Sequence, residues 1–443
     1  MNKSGSGAPK PAQPWLDAPV MHGRVVEARG VIARVVGASL RIGEKVRLVR
    51  ADTREEQIGE VIGFGPDGAL VMPFAGLSGL SDITRVEGCG LAWPRLDASR
   101  LGGRVLDGLG NPLDGGPPAP RLDSPAYRED LPLNPLERPV ITHPFVTGVR
   151  AIDGLITCGI GQRVGISATA GGGKSTLMGM IANHAQADFV VAALIGERGR
   201  EVSEFVQDHL REQRSRVIVI ASTSDRPAAE RIRASQLASG IASTLRAQGK
   251  QVLLLFDSLT RFARALREVG LAVGEPPARR GYPPRVFAEL PRLIEMGGLT
   301  REGSVTAFFT VLAEDEDLAD PIVEEARSLL DGHIQLAARL GAAGQYPAID
   351  VLHSKSRLMT RIARDRHRDD ARRVREWLAR YQDVELLLQI GEYRSGADAA
   401  SDRAIERHPR ILDFLRQDQD EYSSYEETLA ALHALSASAG VSP

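Results

Sequence analysis

Three groups of residues in this chain have the types and spacing to handle a polyphosphate. The first is Gln162 to Thr176, QRVGISATAGGGKST, where a short apolar run meets three consecutive glycines and then Lys174 and Ser175. Glycines let successive backbone N–H groups turn inward onto phosphate oxygens, and the start of a following helix adds the positive end of its dipole. In the pattern G-x-x-x-x-G-K-[ST] the lysine reaches the β- and γ-phosphates and the hydroxyl sits on Mg²⁺. Ala168, Thr169, Ala170, Gly171, Gly172, Gly173, Lys174, Ser175 and Thr176 are therefore the candidate nucleotide loop, with Ser175 also a candidate metal ligand. Glycine opens the pattern and Ala168 stands in its place; a methyl group is the smallest possible addition, and the loop is expected to survive it. These residues predict a chain that binds a nucleoside triphosphate.

The second and third groups stand at the ends of other apolar runs. VLLLF closes on Asp257, a position from which a carboxylate can hold Mg²⁺ through water. FVVAALIG ends in Glu197-Arg198-Gly199-Arg200-Glu201. A carboxylate leaving a buried parallel strand at its carboxyl edge stands where ligands bind in open α/β sheets. Glu197 can orient and polarise an attacking water, and Glu201 can hold a metal-bound water. The plainer readings are a turn-capping aspartate and a solvated charge cluster opening a helix. Hydrolysis of a γ-phosphate is mainly positioning and charge stabilisation, so cations are needed at the transferring group. Arg198 and Arg261, the latter in DSLTR, are the candidates; on local sequence Arg261 fits an ion pair as well as a phosphate contact.

Such groups need a parallel sheet to hold them, and the chain has the runs to build one. FVVAALIG, RVIVIAST, QVLLLFD and VTAFFTVLA are nearly continuous apolar segments, as expected of parallel strands buried on both faces. They lie in a middle section, 97–375, that alternates strands with amphipathic helices. Before it, residues 22–96 carry short Val- and Ile-rich runs broken by turn residues, which suit a small all-β barrel. After it, residues 376–443 show only helical spacing. The first 21 residues, rich in Gly, Pro and Ser, are expected to be disordered.

Length and composition agree with several domains. At 443 residues the chain exceeds the size at which one core stops growing, about 250–300 residues. Lys plus Arg (55) nearly balance Asp plus Glu (57), so no global basic excess points to nucleic acid. Two cysteines, Cys89 and Cys158, make no disulfide framework and fit a reducing compartment. No apolar run approaches the ~18 residues of a membrane span, and the start of the chain has no signal-peptide core. The expected location is cytoplasmic.

Taken together, these segments resemble the F1-like rotary ATPase alpha/beta superfamily, and within it the type III protein-export ATPases, flagellum-specific or virulence-associated. The resemblance runs from about residue 22 to 420 through GRVLDGLGNPLDG, NPLERPVI, TGVRAIDGLITCGIGQRVGI, GERGREV, TSDRP, the long run Val252–Leu293 and DGHI…QYPAIDVLHSKSRLM. It implies an α/β fold: a RecA-like P-loop core with an N-terminal β-barrel and a C-terminal helical domain, assembled as a homohexamer that uses ATP and Mg²⁺. It implies Glu197 as catalytic carboxylate, Asp257 as the Mg²⁺-side acid, and Lys174, Arg198 and Arg261 at the phosphates. Tyr346, in QYPAID, matches the aromatic against adenine; by pattern alone a buried core tyrosine fits equally. Arg357, in SKSR, matches the finger that reaches a neighbouring subunit's site. The implied partners are further copies of the chain, a stator-like regulator, a central-stalk protein, export substrates with their chaperones, and a membrane export gate at the inner membrane, with no nucleic acid.

The chain departs from that family in places. Its loop usually reads A-G-S-G-V-G-K-S, so Thr169, Ala170 and Gly172 differ, and Gly172 is expected to loosen the loop and weaken nucleotide binding. The first 20 residues lack the amphipathic helix that docks a regulator. The acidic run Glu314-Asp315-Glu316-Asp317 is read as a solvated loop. Two other classes share parts of the pattern. An RNA-driven hexameric motor would need clustered aromatics on the barrel, where only Phe64, Phe74 and Trp93 occur; the Arg-rich stretch 361–380 is interspersed with acids and reads as a salt-bridged helix face. A catalytic subunit of an ion-driven rotary ATP synthase is disfavoured by the run after Arg261.

Overall fold

A computed structural model describes residues 22–91, 93, 95–122, 135–169, 171–210, 214–312 and 320–437. The expectations for the first 21 residues, for Ala170 and for the acidic run 314–317 lie outside the described residues. The chain forms two compact units that divide after Trp93.

The first unit is a closed barrel of β1 (Gly23–Arg29), β2 (Ile32–Val36), β3 (Lys45–Val49), β4 (Glu56–Gly65), β5 (Gly68–Pro73) and β6 (Arg85–Gly88). Its order is β1-β2-β5-β4-β3-β6, and β6 pairs back onto β1. Alternate residues point inward because side chains on a strand have a period of two. Ala33, Val35, Val46, Leu48, Val61, Val71 and Val86 fill the interior.

The second unit is built on a sheet of β7 (Val105–Leu106), β8 (Arg163–Ala168), β9 (Phe189–Ile195), β10 (Val217–Ser222), β11 (Gln251–Asp257), β12 (Ser304–Leu312), β13 (Gly332–Leu336) and β14 (Ile349–Ser356). The order is β14-β13-β8-β12-β11-β9-β10-β7. Neighbours from β7 to β13 run parallel, and β14 closes the edge antiparallel to β13. The four apolar runs singled out in the sequence are β9 to β12, almost wholly buried as parallel strands covered on both faces must be.

The helices are α1 (Arg150–Leu155), α2 (Lys174–His184), α3 (Gly199–Glu204), α4 (Ala228–Ala247), α5 (Leu259–Ala272), α6 (Pro284–Glu295), α7 (Pro321–Leu329), α8 (Asp365–Gln389), α9 (Ala399–Leu415) and α10 (Tyr425–Ser436), besides shorter turns. On one face of the sheet Leu177 and Ile181 of α2 join Val190, Ala192, Leu194, Leu253 and Leu255 in a core. Ala371, Val374, Ile411, Phe414, Leu432 and Leu435 of the terminal helices belong to that same core. The helical end is therefore anchored to the sheet by buried side chains, each contributing about 1.5–3 kcal/mol when large and apolar. On the other face Phe256 meets Phe262 of α5 edge-on, with ring centroids 6.3 Å apart, and Phe309 of β12 in a tilted contact at 5.6 Å. The Arg-rich stretch forms the start of α8, where Arg372 pairs with Glu376 at 2.8 Å and Asp369 at 3.4 Å, and Arg368 pairs with Asp365. Arg375 turns inward and donates to the Ser354 carbonyl at 3.0 Å. These charges are engaged along the helix and beneath it, as spacing of three and four residues allows.

Candidate active site

The strand–loop–helix order expected around Lys174 is realised by β8 and α2. Ala168 is the last residue of β8, fully buried and in parallel register with Leu312, so its methyl group sits inside the sheet layer. Gly171 and Gly173 have φ of +79° and +80°, and a Cβ at either would meet nothing within 4 Å. Glycine is needed there for the left-handed backbone, not for room. Gly172 differs: its φ is ordinary, its N–H donates to the Thr169 carbonyl at 3.1 Å, and an added Cβ would stand 3.2 Å from that oxygen. Lys174 opens α2, Ser175 is exposed in its first turn, and Thr169 and Thr176 are half-buried beside them.

Parallel strands bring the other groups to the same edge. Lys174 Nζ lies 2.7 Å from Asp257 Oδ1 and 3.2 Å from Glu197 Oε1. Asp257 ends β11 and Glu197 follows β9 by two residues; they are 3% and 5% exposed. Thr310 of β12 donates to Asp257 Oδ1 at 2.5 Å. Arg261 reaches the cluster from the first turn of α5, its Nε 3.9 Å from Glu197 Oε1. That Nε is buried and makes no hydrogen bond, so it is a donor aimed into the site with capacity for a further acceptor.

The electrostatics follow from burial and crowding. Loss of water pushes the Glu197 carboxyl up to about 7, with the adjacent Asp257 charge and a hydrogen bond to Glu201 adding to it. Glu201 moves the opposite way, lowered first by the hydrogen bond from Glu197. Glu197 is thus the proton holder of the pair. Burial works against the Lys174 charge, but Asp257 and Glu197 outweigh it and raise the group.

The remaining candidates are all exposed. Arg198 is exposed and pairs with Glu201 at 3.4 Å. Tyr346 precedes β14 at the carboxyl end of the sheet and is 53% exposed, not a buried core tyrosine. Arg357 is exposed at the other end. In β14 Ile349 is level with Leu336 while Ser356 is level with Gly332, so the strand carries the chain from the loop end to the amino ends of the parallel strands. There the Arg357 guanidinium donates to the Arg327 carbonyl at 3.0 Å. At ~3.3 Å per strand residue, the Gly332 level lies about 13 Å from the Leu336 level along the strands, so Arg357 and the Lys174 cluster stand at opposite ends of the sheet.

Comparison with known proteins agrees with this geometry. The nucleotide-binding domain of the ATP synthase alpha/beta family matches residues 148–356, and the C-terminal domain of the type III secretion ATPase EscN matches residues 363–434. A type 3 secretion system ATPase of Xanthomonas euvesicatoria is 51% identical over 93% of both chains. The chain belongs to the type III secretion and flagellum-specific ATPases. A flagellum-specific ATP synthase of Bacillus subtilis is 43% identical over 94% of this chain and 95% of its own. Among solved structures, assembled EscN of enteropathogenic E. coli in complex with its central stalk EscO superposes with a TM-score of 0.85 at 42% identity, over 94% of this chain and 100% of that one.

As an export ATPase the chain is an ATP hydrolase with the expected fold of barrel, RecA-like core and helical end. These relatives favour that reading over the RNA-driven motor and the ion-driven synthase subunit. Among the described residues no helix is long and apolar enough to cross a membrane. The residues at the site fit a nucleotide with its metal: two left-handed glycines open backbone donors, Ser175 offers an exposed hydroxyl, Asp257 stands at the same edge, and Arg261 brings an unmatched donor. Sequence reasoning passed over Thr310, whose only signal is a hydroxyl interrupting the apolar run of β12.

Proposed function

We propose that this chain hydrolyses Mg²⁺-ATP at sites between neighbouring copies of a homohexameric ring, and that the cycle drives protein export through a flagellar or virulence-type III apparatus. The observation that carries the reading is the pairing of Lys174 with both Glu197 and Asp257 at one end of the sheet, with Arg357 at the other. Nucleotide phosphates compete with the two carboxylates for Lys174. Once Lys174 turns to the β- and γ-phosphates, Glu197 is free to accept the proton of a water attacking the γ-phosphorus as the bond to ADP breaks. Arg261 and Arg198 offset the charge on the transferring group. Mg²⁺, when bound, would be held by the Ser175 hydroxyl with Asp257 and Glu201 as the neighbouring acids, and would supply charge neutralisation at the phosphates. Tyr346 stacks on the adenine. Arg357, too far from its own site, completes a neighbour's.

The central-stalk complex of EscN supports an analogous partner here. Leu386, Leu387 and Ile390, exposed at the end of α8, offer an apolar ridge to a helical partner. A stator-like regulator, export substrates with chaperones, and the gate at the inner membrane complete the proposed set, on the cytoplasmic side. Replacing Glu197 by Gln tests the chemistry. Turnover should fall by 10²-fold or more, on the order expected for a general base, while ATP still binds; retained turnover, or lost binding, would remove Glu197 from this role.

A further inference from the structure

Gln417, just past the end of α9, is 4% exposed and hydrogen-bonded on every side. Its Oε1 accepts from the Arg150 N–H at 2.8 Å, and its Nε2 donates to the Gly148 and Glu421 carbonyls, both at 2.7 Å. Its backbone N–H donates to the Tyr346 carbonyl at 2.8 Å. The strap it grips is itself fixed: Thr147 and Gly148 donate their N–H groups to the buried Asp153 carboxylate at 2.9 Å each. Arg150 reaches back to the end of α9, where its guanidinium meets the Phe414 and Arg416 carbonyls and Glu421. A buried amide with its donors and acceptor all matched has one orientation available. Gln417 therefore holds the Tyr346 backbone to the strap before α1 and to the terminal helices at once.

We propose that Gln417 is a positioning residue for the nucleotide base. It never touches the nucleotide; it sets where the Tyr346 ring stands, and so links base affinity to the position of α9. This rests on the reading of Tyr346 as the adenine contact. The phosphate groups are held from β8, β9 and β11, which Gln417 does not contact through these bonds, so its effect should be confined to the base.

The test is steady-state ATPase kinetics of the full chain with Gln417→Ala, Tyr346→Ala and the double variant, alongside inhibition by Mg²⁺-tripolyphosphate, which has phosphates and no base. Loss of base stacking should raise the KM for ATP about 10-fold in Tyr346→Ala. Gln417→Ala should raise it about fivefold with kcat changed less than about twofold, leave tripolyphosphate inhibition as it was, and add almost nothing in the double variant. Full additivity, or a matching loss of tripolyphosphate inhibition, would overturn the proposal while leaving Tyr346 as the base contact. A Tyr346→Ala enzyme with an unaltered KM would overturn both. Should Gln417→Ala fail to fold, Gln417→Glu keeps the shape and the acceptor for Arg150 and loses both side-chain donors; the same KM-selective pattern is expected, and a fall in kcat alone would count against it.

Discussion

Glu197 is buried beside Asp257 and shares a hydrogen bond with Glu201, and these surroundings keep its proton on up to about pH 7. Below that pH it cannot accept a proton from water, so kcat/KM for ATP should climb with pH through a limb near 7 and level off above it. In Glu201→Gln the carboxylate that accepts the Glu197 proton is gone, and the limb should move to lower pH by about half a unit or more. An unmoved limb would assign it to another group. The sign for stability is the reverse of the catalytic one. The folded carboxyl titrates above its unfolded value of about 4.3, so its contribution is fully present below that pH and is lost as pH rises toward 7. At this scale Lys174, Ser175, Asp257 and Glu197 were legible because each is tied to a strand end or a glycine run that sequence displays. Thr310 was not, since its value lies in a contact with a strand that is adjacent only after folding.

The loop between β8 and α2 separates two glycines that sequence alone treats alike. Gly173 sits at the helix N-cap with φ of +80°, where an L-residue carries about 1–2 kcal/mol of strain. Gly173→Ala should weaken ATP binding about tenfold or more, as the loop relaxes away from the geometry that exposes its N–H groups. Gly172→Ala starts from an ordinary φ and needs the Thr169 carbonyl, 3.2 Å from the new Cβ, to give by a few tenths of an ångström. With that small shift the substitution reduces the freedom of the unfolded loop, and ATP affinity should hold or improve severalfold. Titration of both variants with ATP checks the pair, and equal losses would contradict the distinction. Among the elements, β9 to β12 were legible as unbroken apolar runs. β13 and β14 were not, because GHIQL alternates buried and half-buried positions and the edge strand IDVLHSKS mixes buried and exposed ones.

For the whole molecule, the antiparallel course of β14 matters most. It leaves Tyr346 at the carboxyl end of the sheet and carries Arg357 to the other end, so on the proposed function one chain would present two halves of a site at opposite ends of its sheet. ATPase rate per chain should therefore rise with protein concentration as copies associate, indifferent to added RNA. Arg357→Ala should abolish that rise, lowering the assembled rate by about 10³-fold while each chain still binds ATP. A variant that keeps its concentration-dependent rate would mean the completing arginine lies elsewhere. The sheet and the terminal helices share one core, and Gln417 joins the end of α9 to the Tyr346 backbone.

Local pattern by itself determined that this chain handles nucleotide phosphates, that its strands are parallel and buried, and which carboxylates stand at their ends. Those properties depend on nearest neighbours in sequence: glycines before a lysine, an apolar run before an acid. Tertiary structure alone decided that Lys174 bridges Glu197 and Asp257, that Thr310 supports Asp257, that Gln417 holds Tyr346, and that Arg357 stands at the opposite end of the sheet from Lys174. Each of these is a contact, or a separation, between segments tens to hundreds of residues apart, set by strand order and direction, which no local pattern encodes.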